Sequence, residues 1–101
     1  MTEADLLLLD EPFASLDALT RLQMQDWLLS IKSKLHQTII LVTHDIDEAI
    51  RLSDTICVMD SGPGAFLFEQ KVPEEIRRDR HNISHPAWAK LKSELTSKLI
   101  R

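Results

Sequence analysis

A chain of 101 residues, with 12 Lys+Arg against 16 Asp+Glu and a formal net charge of -4, has room for one domain at most, and buries about 60–70% of its unfolded surface. The acidic balance argues against nucleic acid or an anionic membrane as an electrostatic partner. One cysteine, Cys57, rules out an internal disulfide framework and fits a reducing compartment; no basic start with an apolar run marks a signal peptide, and the longest apolar run, Leu6 to Leu9, is far short of the roughly 20 residues of a membrane span.

The first element, Asp5-Leu-Leu-Leu-Leu-Asp10, is apolar without alternation, which predicts a parallel-sheet strand covered on both faces. Asp10, Glu11 and Pro12 end it sharply. Asp17 is placed as the N-cap of a helix running to about Leu35, with Met24, Leu28, Ile31 and Leu35 on one stripe and Trp27 beside it as a packing residue. His36, at the helix end, carries no functional weight. Thr38-Ile-Ile-Leu-Val-Thr43 is β-branched and apolar, a second buried strand that His44 and Asp45 end. A short helix from Ile46 to Leu52 is expected to turn Asp47, Glu48 and Arg51 outward.

Asp54 to Met59 reads as a third strand, with Cys57 a buried small residue rather than a reactive thiol. Ser61-Gly-Pro-Gly64 is a turn, and Ala65 to Val72 a return strand antiparallel to the third. From Pro73 to Ser84 the sequence becomes polar, a surface connection with one helical turn in which Glu74–Arg80 form a solvated face. His81 and His85 have a spacing that can hold a metal on a helix, but Pro86 follows at once and no third ligand stands near, so both read as solvated. Pro86 opens a terminal helix with Trp88, Leu91, Leu95 and Leu99 on one stripe.

Strand–helix–strand–helix–strand–hairpin is the order of a parallel α/β unit with right-handed crossovers. If the first two strands are parallel, Asp10, Glu11 and His44 all emerge at the carboxyl edge of one sheet, where open α/β sheets place ligands. Adjacent carboxylates after a buried strand suit metal-assisted phosphate chemistry. One holds a hard cation such as Mg²⁺, which keeps several waters, and the other orients or deprotonates an attacking water. A histidine at the next strand end can touch the terminal phosphate or hold the water. Without that context, the acidic pair reads as a turn cap and His44 as a loop histidine.

Two blocks add specificity. Leu6-Leu-Leu-Leu-Asp-Glu-Pro-Phe-Ala-Ser-Leu-Asp17 resembles the Walker B strand and D-loop of ABC-type ATPases. Val42-Thr-His-Asp-Ile-Asp-Glu-Ala49 resembles their H-loop in the form common among importers, with a flavour of the nitrate/sulfonate/taurine group. The resemblance covers roughly residues 4–72. It implies a partial P-loop NTPase-like (RecA-like) α/β core with parallel strands, crossover helices and a C-terminal hairpin strand and helix. Residues 1–72 then form the C-terminal part of the ATPase core and residues 73–101 a helical tail. It further implies that Asp10 holds the Mg²⁺ of Mg-ATP, that Glu11 is the catalytic carboxylate, and that His44 contacts the γ-phosphate. Ser15 and Asp17 fall in the D-loop, which in this family meets a second ATPase subunit in a head-to-tail dimer. Such subunits hydrolyse ATP to drive solute import, attached to the inner face of the cell membrane through a permease subunit.

No Gly-x-x-x-x-Gly-Lys-Ser/Thr occurs, and the two glycines both lie in the Gly62–Gly64 turn. The family's glutamine loop and glycine-paired signature are also absent from these residues. The isolated chain is therefore expected to be inactive alone. The alternative is a truncated, non-catalytic module that associates with intact ATPase or transporter subunits, and an uncovered strand edge and apolar face favour self-association. A chromosome-maintenance or DNA-repair ATPase is disfavoured by the Thr43–Ala49 block, the short helix between motifs and the acidic charge.

Overall fold

The computed structural model describes residues 6–34, 38–59 and 66–99. The predicted Ser61–Gly64 turn lies outside them, as do Asp5, Leu35, His36 and Ala65 at predicted element ends. The chain divides into two compact units, Met1–His44 and Asp45–Arg101.

In the first unit, strand β1 (Leu6–Asp10) pairs in parallel with β2 (Thr38–Val42), Leu6 opposite Thr38 through Asp10 opposite Val42. Helix α1 (Ala18–Lys32) connects them, making a β-α-β unit. Asp17 caps α1 as expected, its side chain accepting from Thr20 N at 2.8 Å. Because side chains alternate along a strand, Leu7, Leu9, Ile39 and Leu41 share one half-buried face. The opposite face, Leu6, Leu8, Ile40 and Val42, is exposed, Leu8 by 63%. Coverage of both strands on both faces is thus not found: an apolar run supplies two apolar faces, and only one is partly covered.

Helix α1 departs from the predicted stripe. Leu28 is buried and Ile31 half-buried, but Met24 is exposed and Trp27 is 55% exposed, so Trp27 is not a packing residue here. The buried face instead includes Gln25, three residues before Leu28. Trp27 immediately precedes Leu28 and so stands about 100° around the helix from it.

The second unit holds helix α2 (Ile46–Leu52), strands β3 (Thr55–Met59) and β4 (Phe66–Lys71), and helices α3 (Glu74–Arg78) and α4 (Pro86–Leu99). The strands pair antiparallel, with Thr55 opposite Lys71 and a bulge after Val58. Among the described residues the second unit's sheet consists of β3 and β4. Ile56 and Val58 point inward and Cys57, between them, is exposed rather than buried. The core gathers Ile50, Ile56, Val58, Val72, Ile76, Trp88, Leu91 and Leu95.

The polar residues of α2 were expected outward, but Glu48 is buried and Asp47 and Arg51 are half-buried. The reason is that α4 docks here. Asp47 accepts from Trp88 Nε1 and from Lys92 Nζ, both at 2.9 Å, while Arg51 lies 5.6 Å from the centre of the Trp88 ring. The Glu74–Arg80 segment is likewise only partly a solvated face. Ile76 is in the core, and Arg80 donates to the carbonyls of Arg51 at 2.8 Å and Ser53 at 3.0 Å and pairs with Asp54. His85 is half-buried rather than solvated, and its Nδ1 accepts from Ala87 N at 3.0 Å at the start of α4.

Burial weighs most on Asp47, against its charge, but the hydrogen bonds from Lys92 and Trp88 and the charges of Lys92 and Arg51 together outweigh it, holding its pKa below the ordinary carboxylate range. Lys92 is raised by its hydrogen bond and attraction to Asp47. A lowered Asp stabilises the fold above its unfolded pKa and loses that contribution as pH falls through its folded pKa. A raised Lys contributes below its unfolded pKa and loses that as pH rises through its folded one. Thermal midpoints are therefore expected to fall on acidification below about pH 4, with a shallower fall in Asp47→Asn. Identical acid-side slopes in the two proteins would show that Asp47 does not carry the effect.

Candidate functional site

The site begins where β1 stops. The Glu11 N–H donates to Val42 O at 2.8 Å, extending the β1–β2 ladder one step past Asp10. Glu11 has φ of 48°, the sole positive value at a non-glycine position among the described residues. This left-handed geometry turns the chain out of the sheet at Pro12, at a cost of about 1–3 kcal/mol held by its surroundings. The Pro12–Leu16 loop then winds through successive turns, with Ala14 N to Glu11 O at 3.4 Å and Leu16 N to Phe13 O at 3.2 Å, and buries Phe13.

On the neighbouring strand, His44 follows β2 by two residues. Its Nδ1 is hydrogen-bonded to the Glu11 carboxylate, joining residues 33 apart in sequence. A carboxylate only accepts, so Nδ1 carries the proton and Nε2 is the end left for other chemistry. The His44 side chain is 93% exposed and that of Glu11 29%, so the pair presents an open imidazole edge on a partly sheltered carboxylate.

The predicted residues are thus partly assembled. Glu11 and His44 are joined, and Asp10 is exposed at the same strand edge. Ser15 and Asp17 are exposed on the loop, and Asp17 is turned to its helix cap, the Thr20 backbone hydrogen bond chiefly lowering its pKa. Arg21 escaped the sequence reading. Four residues after Asp17, its guanidinium reaches back to the loop carbonyls of Phe13, Ala14 and Leu16. The signal available was that spacing, since helix side chains lean toward the N-terminus.

A hard cation brought in with a phosphate substrate keeps its waters and takes one or two carboxylates, and Asp10 at the strand edge fits that demand. Among the described residues no group of three or more His, Cys, Asp or Glu side chains could hold a metal ion. No helix among them is long and apolar enough to cross a membrane.

No family model matches the chain. Individual proteins do. It is 46% identical over 94 residues to the aliphatic sulfonates import ATP-binding protein SsuB 2 of Pseudomonas syringae pv. tomato, covering 93% of this chain and 39% of that protein. It is 43% identical over 97 residues to the bicarbonate transport ATP-binding protein CmpC of Synechococcus elongatus, covering 93% of this chain and 14% of that one. Among solved structures, CbiO1 of Clostridium perfringens, part of the ABC transporter complex CbiONQ, matches with a TM-score of 0.59 and 26% identity over 91% of this chain and 36% of CbiO1. The chain therefore spans well under half the length of the proteins it matches. With ATP-binding transport proteins matching nearly all of its sequence and a part of an ABC transporter complex matching its fold, this chain is homologous to part of the ATP-binding subunits of ABC transporters, and the importer type fits.

Proposed function

We propose that this chain carries the hydrolytic edge of an ABC importer ATPase. In this reading Asp10 ligates the Mg²⁺ of Mg-ATP, and Glu11 orients the attacking water and accepts its proton. His44 contacts the terminal phosphate through Nε2. The observation that supports it most is the Glu11–His44 hydrogen bond at the carboxyl edge of the parallel β1–β2 pair, where α/β sheets bind ligands.

The chemistry follows from the donor set. Phosphoryl transfer asks little covalent work of the protein and depends on positioning and charge. Bound Mg²⁺ supplies charge neutralisation on the phosphate oxygens. The half-sheltered Glu11 carboxylate is a base for water, and its bond to Nδ1 fixes the ring so that Nε2 faces outward. Toward a phosphate oxygen Nε2 donates only as imidazolium, since in the neutral ring the proton sits on Nδ1. Ser15 and Asp17, exposed beyond Pro12, are the surface offered to a second ATP-binding subunit. A membrane permease completes the transporter and holds the ATPase at the cytoplasmic face.

The chain by itself has no phosphate cradle, because no Gly-x-x-x-x-Gly-Lys-Ser/Thr is present among its 101 residues. Calorimetric titration of the 101-residue chain with Mg-ATP is expected to show no tight binding, and its ATPase rate to match buffer, whereas the intact subunit bearing this sequence turns over. Micromolar affinity in the short chain would overturn its inactivity. An intact subunit without ATPase activity would overturn the hydrolytic reading.

A further inference from the structure

We infer that Arg21 is a positioning residue for the hydrolytic edge, acting through the loop that links Glu11 to α1; the inference rests on the hydrolytic reading above. Arg21 stands in the second turn of α1, with its own N–H bonded to Asp17 O at 2.8 Å. From there its Nε donates to Phe13 O at 3.2 Å, and one terminal nitrogen donates to Leu16 O at 3.1 Å and Ala14 O at 3.5 Å. One side chain thus collects three carbonyls of the five-residue Pro12–Leu16 loop.

Those carbonyls belong to neither strand nor helix; that of Phe13 also accepts from Leu16 N within the loop, and the guanidinium ties all three together. The loop is fixed at both ends without Arg21: Glu11 N–H is bound to Val42 O, and Asp17 caps α1. Its middle is what the guanidinium holds, and the first carbonyl it takes is that of Phe13, two residues after Glu11. Glu11 keeps its left-handed backbone only while the surrounding chain enforces it. Releasing Phe13–Leu16 lets that backbone relax, and the carboxylate turns with it, away from His44. The loop so released is also the one that exposes Ser15.

The geometry calls for arginine specifically. A guanidinium offers five donors in a rigid planar fork, whereas lysine presents one nitrogen on a flexible stem. Arg21→Lys therefore keeps the charge and removes the fork. A catalytic group misplaced by about 1 Å loses as much as 100-fold in rate. In the intact subunit bearing this sequence, Arg21→Lys is expected to lower kcat for Mg-ATP by about 10-fold or more, with KM within about 2-fold of the parent. Amide exchange at Ala14 and Leu16 should accelerate while the central amides of α1 keep their protection.

Glu11→Gln in the same subunit separates the two claims. Parent-like turnover in Glu11→Gln overturns the hydrolytic reading. Loss of turnover there, with parent-like kcat in Arg21→Lys, overturns the positioning role alone. If instead α1 amides lose protection along with the loop and KM rises together with the fall in kcat, Arg21 supports only the fold and the positioning role is overturned. An Arg21→Ala variant, which cannot donate at all, should show the same separation of kcat from KM to a larger extent.

Discussion

In the intact subunit, Glu11→Gln is expected to lower ATP hydrolysis by about 100-fold or more with folding retained, and His44→Ala to do comparable damage. Glutamine has the size of glutamate, and its carbonyl can still accept the Nδ1 proton of His44. The substitution therefore spares the contact between the strands and removes the negative charge and the basicity. His44→Ala spares the carboxylate but removes the ring that the structure bonds to it, and with it Nε2. Because the groups are hydrogen-bonded, the double variant should lose little more than the worse single one, as residues that act as a unit do. Steady-state and single-turnover ATPase assays, read beside circular dichroism, test this. Near-parent turnover in both single variants would refute the assigned roles.

Trp88→Ala is expected to unfold the Asp45–Arg101 unit or bring it close to unfolding, with a loss of about 3–5 kcal/mol. The indole is 2% exposed and packs among Ile50, Val72 and the other core residues. It also donates to Asp47 and lies under the Arg51 guanidinium. Small domains hold roughly 0.05–0.15 kcal/mol per residue, so the loss is comparable to all that a unit of this length possesses. Trp88→Phe keeps most of the packing and forfeits the Nε1 bond, for about 1 kcal/mol. Urea unfolding of the chain distinguishes them: the alanine variant should lack a cooperative transition that the phenylalanine variant retains. A cooperative alanine variant within about 1 kcal/mol of the parent would show that the core does not depend on this ring.

Element positions were largely legible because their signals are local. Asp17 marks the start of α1 with a side chain that reaches the next turn, and Asp45, read only as the end of a strand, caps α2 in the same way. The apolar runs around Leu8 and Ile40 are strands, and a parallel pairing of the two is enough to bring Glu11 and His44 together. What stayed illegible is which stripe or face meets a neighbour. Trp27 and Leu28 are equally apolar, and periodicity does not say which of them is covered. The run from Leu6 to Leu9 says that both strand faces are apolar, not that both are packed. Arg80 looks like one charge in a polar stretch, and its partners Arg51, Ser53 and Asp54 lie 26 to 29 residues away. Glu48 looks like a surface residue until the unit around it is assembled.

If Glu11 is the base proposed above, its left-handed backbone sets fold stability against turnover at a single position. A glycine takes that conformation freely, so Glu11→Gly exchanges about 1–3 kcal/mol of backbone strain for roughly 0.5–1 kcal/mol of added chain entropy. Selection for heat resistance alone pulls this position toward glycine, or toward asparagine, which tolerates the same geometry. In the hydrolytic reading proposed above, it is ATP turnover that keeps a glutamate there. Redesign of this fold guided by melting temperature would therefore remove the chemistry early, and each such step would register as an improvement.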